Sequence, residues 1–113
     1  MPREIRLCSL GELQPGQGRL LEEGGHQVGV FNVDGALHAI DNRCPHRQGP
    51  LHEGWLEGYL VTCPWHGWQF DLRDGTCATL ANRDVATYAV RVDGSDVLVT
   101  LPDEAAPEGG PAR

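Results

Sequence analysis

The sequence predicts an all-β domain, and three observations carry that expectation. Short runs rich in β-branched and aromatic residues alternate apolar with polar positions, most clearly at residues 27–33 and 86–92. The dipeptides Asp34-Gly35, Asp74-Gly75 and Asp93-Gly94 punctuate those runs. Asp-Gly is a strong hairpin signal because both residues tolerate the positive φ of a tight turn. At 113 residues, with no solenoid-type repeat, the chain has the length of one domain.

Taken in order, Ile5 and Leu7 lie in a first strand. Residues 9–13 form a short turn or one helical turn, with Ser9 as cap and Glu12 three positions on. Residues 14–18 contain Pro15 and two glycines and form a loop. Residues 18–22 form a strand, and Glu23-Gly24-Gly25 turns the chain. Residues 27–33 form a half-buried strand carrying Val28, Val30 and Val33. Beyond Asp34-Gly35, residues 36–40 return with Leu37 and Ala39 on one face, and Asp41-Asn42 opens a loop.

The stretch 51–58 is Gly-rich and acidic around Trp55 and Leu56, and ends in a turn at Glu57-Gly58. Residues 59–62 are a β-prone run and residues 69–72 a strand, followed by the Asp74-Gly75 hairpin turn. Residues 76–82 show no regular pattern. Residues 86–92 and 97–101 pair across Asp93-Gly94-Ser95 and close the fold. Pro, Gly and acidic residues fill 102–113, which is expected to be a flexible acidic tail.

Sixteen acidic against nine basic residues give a net charge of −7. That balance repels nucleic acid and anionic membranes, and either suits a basic patch on a partner protein or simply keeps the protein in solution. Arg3, Glu4, Arg6, Glu12 and Arg19 interrupt the first twenty residues, so no signal peptide is expected. No apolar run approaches the roughly 18 residues of a membrane helix. A cytoplasmic location follows as the expectation, and there Cys8 and Cys77 would be thiols packed as small apolar residues.

The chemistry lies between Asn42 and Phe70. Cys44-Pro45-His46 is followed, after sixteen residues, by Cys63-Pro64-Trp65-His66. Each cluster offers one thiolate and one imidazole, and Gly49, Pro50 and Gly67 favour tight loops around them. A [2Fe–2S] cluster shares four protein ligands between two irons, and one variant replaces two Cys on one iron by two His. A structural zinc site uses the same donors and is the alternative. Its usual spacings, C-x₂₋₄-C and H-x₃₋₅-H, differ from the mixed pairs here. His26, His38 and His52 have no partner at ligand spacing and are expected on the surface or satisfied in the core. Arg43, Arg47 and Gln48 are expected as exposed side chains beside the first loop, and Glu53, Glu57 and Asp71 as solvated carboxylates.

The pattern C-x-H, spacer, C-x-x-H, carried by Cys44, Pro45, His46, Cys63, Pro64, Trp65, His66, Gly67 and Trp68, resembles the Rieske iron–sulfur family. The resemblance covers about residues 5–101, and its specific part is the middle third. It implies an antiparallel β-sandwich base domain carrying a small cluster-binding subdomain, here residues 41–74 within a domain 1–101. It implies that Cys44 and Cys63 hold the inner iron and His46 and His66 the outer one. The chain looks like the ferredoxin component of bacterial ring-hydroxylating dioxygenase systems, which is not catalytic alone. Such a protein takes one electron from a flavin-dependent reductase and passes it to a terminal oxygenase. A small Rieske-like subunit of an NAD(P)H nitrite reductase is the alternative role. In either case Trp68 is expected to shield the cluster, and Trp65 to pack or to face a partner.

Rieske proteins of respiratory and photosynthetic complexes are similar but carry two further cysteines where this chain has Gly49 and Trp65. Their Ser and Tyr hydroxyls donate to sulfur where this chain has Trp68 and Phe70. Fewer donors stabilise the reduced, more negative cluster less. The potential is therefore expected at the low end of the Rieske window, near about −150 mV. Voltammetry tests this directly. A value well above zero contradicts it, as would a Trp68→Ser variant whose potential does not rise.

Overall fold

The computed structural model describes residues 3–44, 49–65, 67–79 and 84–102. The tail expected at 102–113 lies outside these from residue 103 onward. Among the described residues the strands are β1 (Arg3–Ser9), β2 (Gly18–Glu23), β3 (His26–Val33), β4 (Ala36–Asp41), β5 (Trp55–Glu57), β6 (Leu60–Thr62), β7 (Gln69–Asp71), β8 (Thr87–Asp93) and β9 (Asp96–Leu101). Two 3-10 turns occupy Leu10–Glu12 and Leu51–Glu53. The expected all-β class holds.

Every strand pairing is antiparallel. Six strands follow the order β1-β9-β8-β4-β3-β2, and β5-β6-β7 form a separate small sheet. The six-stranded sheet bends at its middle, where β4 and β8 pair only through Ala39–Tyr88 and Ile40–Thr87. The halves β1-β9-β8 and β4-β3-β2 thus face each other as two layers. Val97, Val99 and Leu101 of β9 pack against Val28 and Val30 of β3 and Ala39 of β4 between them. Contacts also run across the free edges. Arg3 lies 3.7 Å from Glu23, and Arg19 donates to the Glu12 carbonyl at 3.1 Å.

The turns behave as their residues dictate. Asp34 and Gly35 both take positive φ, 51° and 95°, as a two-residue turn between right-twisted strands requires. The Ser9 N–H donates to Glu12 Oε1 at 2.8 Å, so the expected capped turn is present. Asp74-Gly75 does turn the chain, with the Asp71 N–H donating to the Thr76 carbonyl. After it, among the described residues, β7 gains an isolated bridge, Phe70 to Cys77, and no further strand.

The other face of β3 and β4 carries a second core. Phe31, Val33 and Ile40 meet Val61 and Phe70 of the small sheet, with Leu51, Leu72 and Val85. This corrects the half-buried reading of residues 27–33. Both faces of β3 are covered, one by the other half of the sandwich and one by the segment inserted between β4 and β8. That segment leaves and returns at adjacent points, because the Asp41 N–H donates to the Ala86 carbonyl at 2.8 Å. A correction also concerns residues 51–58. Residues 55–57 form β5, whose central Leu56 pairs with Val61 and turns inward, while Trp55 stays 66% exposed.

Phe31 and Phe70 are the largest fully buried side chains among the described residues, and both belong to the core beneath the inserted segment. Phe31→Ala is expected to cost about 3–5 kcal/mol in denaturant unfolding. A loss below about 1 kcal/mol would contradict the role given to this core.

Candidate metal centre

Two pinched loops rise from the inserted segment. The first is closed at its base by the Cys44 N–H donating to the Gly49 carbonyl at 3.0 Å and by a bridge between Arg43 and Pro50. The second extends the β6–β7 hairpin. The Cys63 N–H donates to the Trp68 carbonyl at 2.7 Å, and the Gly67 N–H donates back to the Cys63 carbonyl at 3.0 Å. Gly67 takes a φ of 77°, the left-handed region where a side chain would be strained.

Cys44 and Cys63 are both fully buried and belong to one core cluster. Neither is joined in a disulfide. The loops touch. A Cβ at Gly49 would stand 2.9 Å from Cys63 Sγ and 3.1 Å from Trp65 Cδ2. The bare backbone of the first loop is therefore pressed against the cysteine and the tryptophan of the second. Trp68 packs half-buried against the same core, whereas Trp65 is 58% exposed. Trp68 thus packs against the core that holds both cysteines, and Trp65 is exposed. His46 and His66, together with Arg47 and Gln48, lie outside the described residues.

The polar residues under the first loop depart from expectation. Arg43 is buried rather than exposed. Its Nε donates to Asp41 Oδ1 at 3.1 Å and its Nη2 to Asp41 Oδ2 at 3.2 Å, while its backbone N–H caps the same carboxylate at 3.0 Å. A fork of this kind satisfies a buried charge on both sides. Asn42 is also buried, bonded to His52. The sequence placed Asn42 only as the start of a loop. Its position between a strand end and a candidate ligand was the available signal.

The remaining histidines behave as structural groups. His26 is buried with Nδ1 3.0 Å from the Tyr88 hydroxyl. The His38 ring meets Tyr59 edge-on at 5.5 Å, and Arg73 lies 4.6 Å above the Tyr59 ring. This stack joins β4 to the turn between β5 and β6. Glu53 and Glu57 are exposed, as expected of solvated carboxylates. Asp71 instead takes two hydrogen bonds from the Arg73 guanidinium, and that pairing holds its carboxyl below the usual range.

Comparison with known proteins gives consistent matches. The model of the Rieske [2Fe-2S] domain matches residues 3–95. The ferredoxin component of biphenyl 2,3-dioxygenase from Rhodococcus jostii strain RHA1 is 38% identical over 97 residues, covering 85% of this chain and 91% of that protein. A structure of the complex between reduced oxygenase and oxidized ferredoxin in carbazole 1,9a-dioxygenase contains a similar chain. It has a TM-score of 0.80 at 28% identity, over 85% of this chain and 91% of that one. A chain assigned as the small subunit of an NADH-dependent nitrite reductase from Mycobacterium tuberculosis gives a TM-score of 0.84 at 26% identity, over 92% and 99%. Among the described residues no helix is long and apolar enough to cross a membrane.

A side chain at Gly49 would push the two loops apart. Gly49→Val is expected to lower the iron retained per chain at least severalfold, while far-UV circular dichroism keeps its β signature. Parental iron content in that variant would show that loop contact is not needed.

Proposed function

Because the chain belongs to the Rieske [2Fe-2S] family, we propose that it is the one-electron carrier of a ring-hydroxylating dioxygenase system. Its cluster would be held by Cys44, His46, Cys63 and His66. Two described donors fit such a group. They are buried thiols on separate loops, brought together where Gly49 meets Cys63. That contact is the observation that carries the reading. His46 and His66 enter it on their sequence spacing. The bound cluster supplies reversible one-electron transfer.

The chain's own residues do the rest. The core under the insertion keeps water from the two thiols, and Trp68 packs against that core. Exposed Trp65, next to the second loop's cysteine, offers an apolar contact for the oxygenase. The protein is a carrier and not a catalyst. Electrons come from a flavin-dependent reductase and go to the terminal oxygenase. The Rieske domain spans 1–101, and residues 41–74 form its cluster-binding part. The biphenyl dioxygenase ferredoxin component, similar over nine-tenths of its length, supports this role. The likeness to a nitrite reductase small subunit favours the same cluster with a different acceptor.

Reconstitution decides between acceptors. With NADH, a flavin-dependent ferredoxin reductase and a ring-hydroxylating oxygenase, the protein is expected to support substrate hydroxylation, and Cys44→Ser to abolish it. The −7 charge predicts that transfer slows as salt rises, since screening weakens attraction to a basic partner. Reduction by the reductase without onward transfer to any oxygenase tried, but with transfer to a nitrite reductase large subunit, would overturn the assignment.

A further inference from the structure

Asn42 follows β4 directly and stands two positions before Cys44. It is 2% exposed, and each of its polar groups has a partner. Its N–H donates to the Gln27 carbonyl at 2.8 Å, and its carbonyl accepts from the Leu51 N–H at 2.8 Å. Its side-chain Oδ1 accepts from the His52 N–H at 2.6 Å. A backbone N–H can only donate, so the atom facing it must be the amide oxygen. The amide nitrogen then faces His52 Nδ1 at 2.9 Å. An amide NH₂ can only donate as well, so Nδ1 is the acceptor and the ring proton is on Nε2.

The same amide oxygen also meets β3. A Cβ at Gly29 would stand 2.6 Å from Asn42 Oδ1, so the amide lies directly on the bare backbone of β3. Residues 42 and 52 bracket the first loop, one at its entry and one in the 3-10 turn beyond its exit. One amide thus ties the two ends of that loop to each other and to the middle layer of the fold. Neither residue is a ligand in the proposed set.

The geometry points to Asn42 and His52 as positioning residues, forming a clamp that sets the first ligand loop in its binding geometry and keeps the cluster from being lost. The inference rests on the assignment of Cys44 and His46 as ligands and adds the residues that hold their loop. A loop already held in place loses less conformational freedom when it binds, and partners outside the ligand set act in this way on metal affinity.

The test uses His52→Ala, which removes the Nδ1 acceptor and keeps the backbone donor, and His52→Asn, whose side-chain oxygen can stand in for Nδ1. Cluster loss to a chelator is followed by absorbance. Amide exchange is measured on the protein as purified. His52→Ala is expected to speed cluster loss about tenfold or more, and His52→Asn to recover most of that factor. In His52→Ala the amides of Cys44 and Leu51 should exchange faster, while those of Val97 and Val99 in β9 keep the parental rate. Cluster loss within about twofold of the parent overturns the clamp. So does failure of His52→Asn to recover, or equal acceleration in β9, which would mark a general loss of stability. Should His52→Ala not fold, His52→Leu, which keeps the backbone donor and fills the ring's space without an acceptor, takes its place under the same criteria. A parent protein without iron and sulfide would count against the ligand assignment, whereas the exchange measurement judges the clamp by itself.

Discussion

One methyl group's worth of space decides how the two ligand loops meet. Gly49 and Cys63 are so close that a Cβ on the glycine would overlap the sulfur. Such a fit needs both loops held in place. The surrounding architecture supplies it, by fixing the base of each loop to an element that cannot shift independently. The first loop is pinned at Cys44–Gly49 and Arg43–Pro50, the second by the hairpin that ends at Thr62 and resumes at Gln69. Both rest on the core that contains Phe31, Val61 and Phe70.

This explains why β3 and β4 are the centre of the molecule. Their one face completes the sandwich and their other face is the floor of the inserted segment. Motion of the insertion relative to the sandwich would have to break packing on a strand buried on both sides. The Asp41–Arg43 pair and the His38–Tyr59–Arg73 stack add polar and aromatic joints at either end of that floor. Rigidity of this kind suits one-electron transfer, where little rearrangement of the protein should accompany the change in charge. It also leaves one large aromatic, Trp65, turned outward from the second loop, where a partner can reach it.

Much of this was legible in the sequence, for physical reasons that differ by element. The hairpins at Asp34-Gly35 and Asp93-Gly94 were readable because turn chemistry is local. The mixed Cys-and-His pattern was readable because ligand type and spacing carry the chemistry directly. The strand β5 was not, since only Leu56 of its three residues turns inward and glycines flank it closely. Burial of Arg43 was hidden because its carboxylate partner gives no periodic signal. The double burial of β3 did leave a trace. Val28, Val30, Phe31 and Val33 place apolar side chains on both parities of one strand, the mark of a strand covered on both faces. The roles of His46 and His66 rest on the sequence pattern.

The central claim is that one sulfur and one nitrogen donor from each loop grip a two-iron centre. Pulsed EPR on the reduced protein, grown with ¹⁵N-histidine, reads that grip directly. Two inequivalent imidazole nitrogens coupled to the unpaired spin, with iron and acid-labile sulfide in equal amounts, are the result predicted here. A spectrum without histidine nitrogen coupling, or purified protein that carries only zinc, would contradict it.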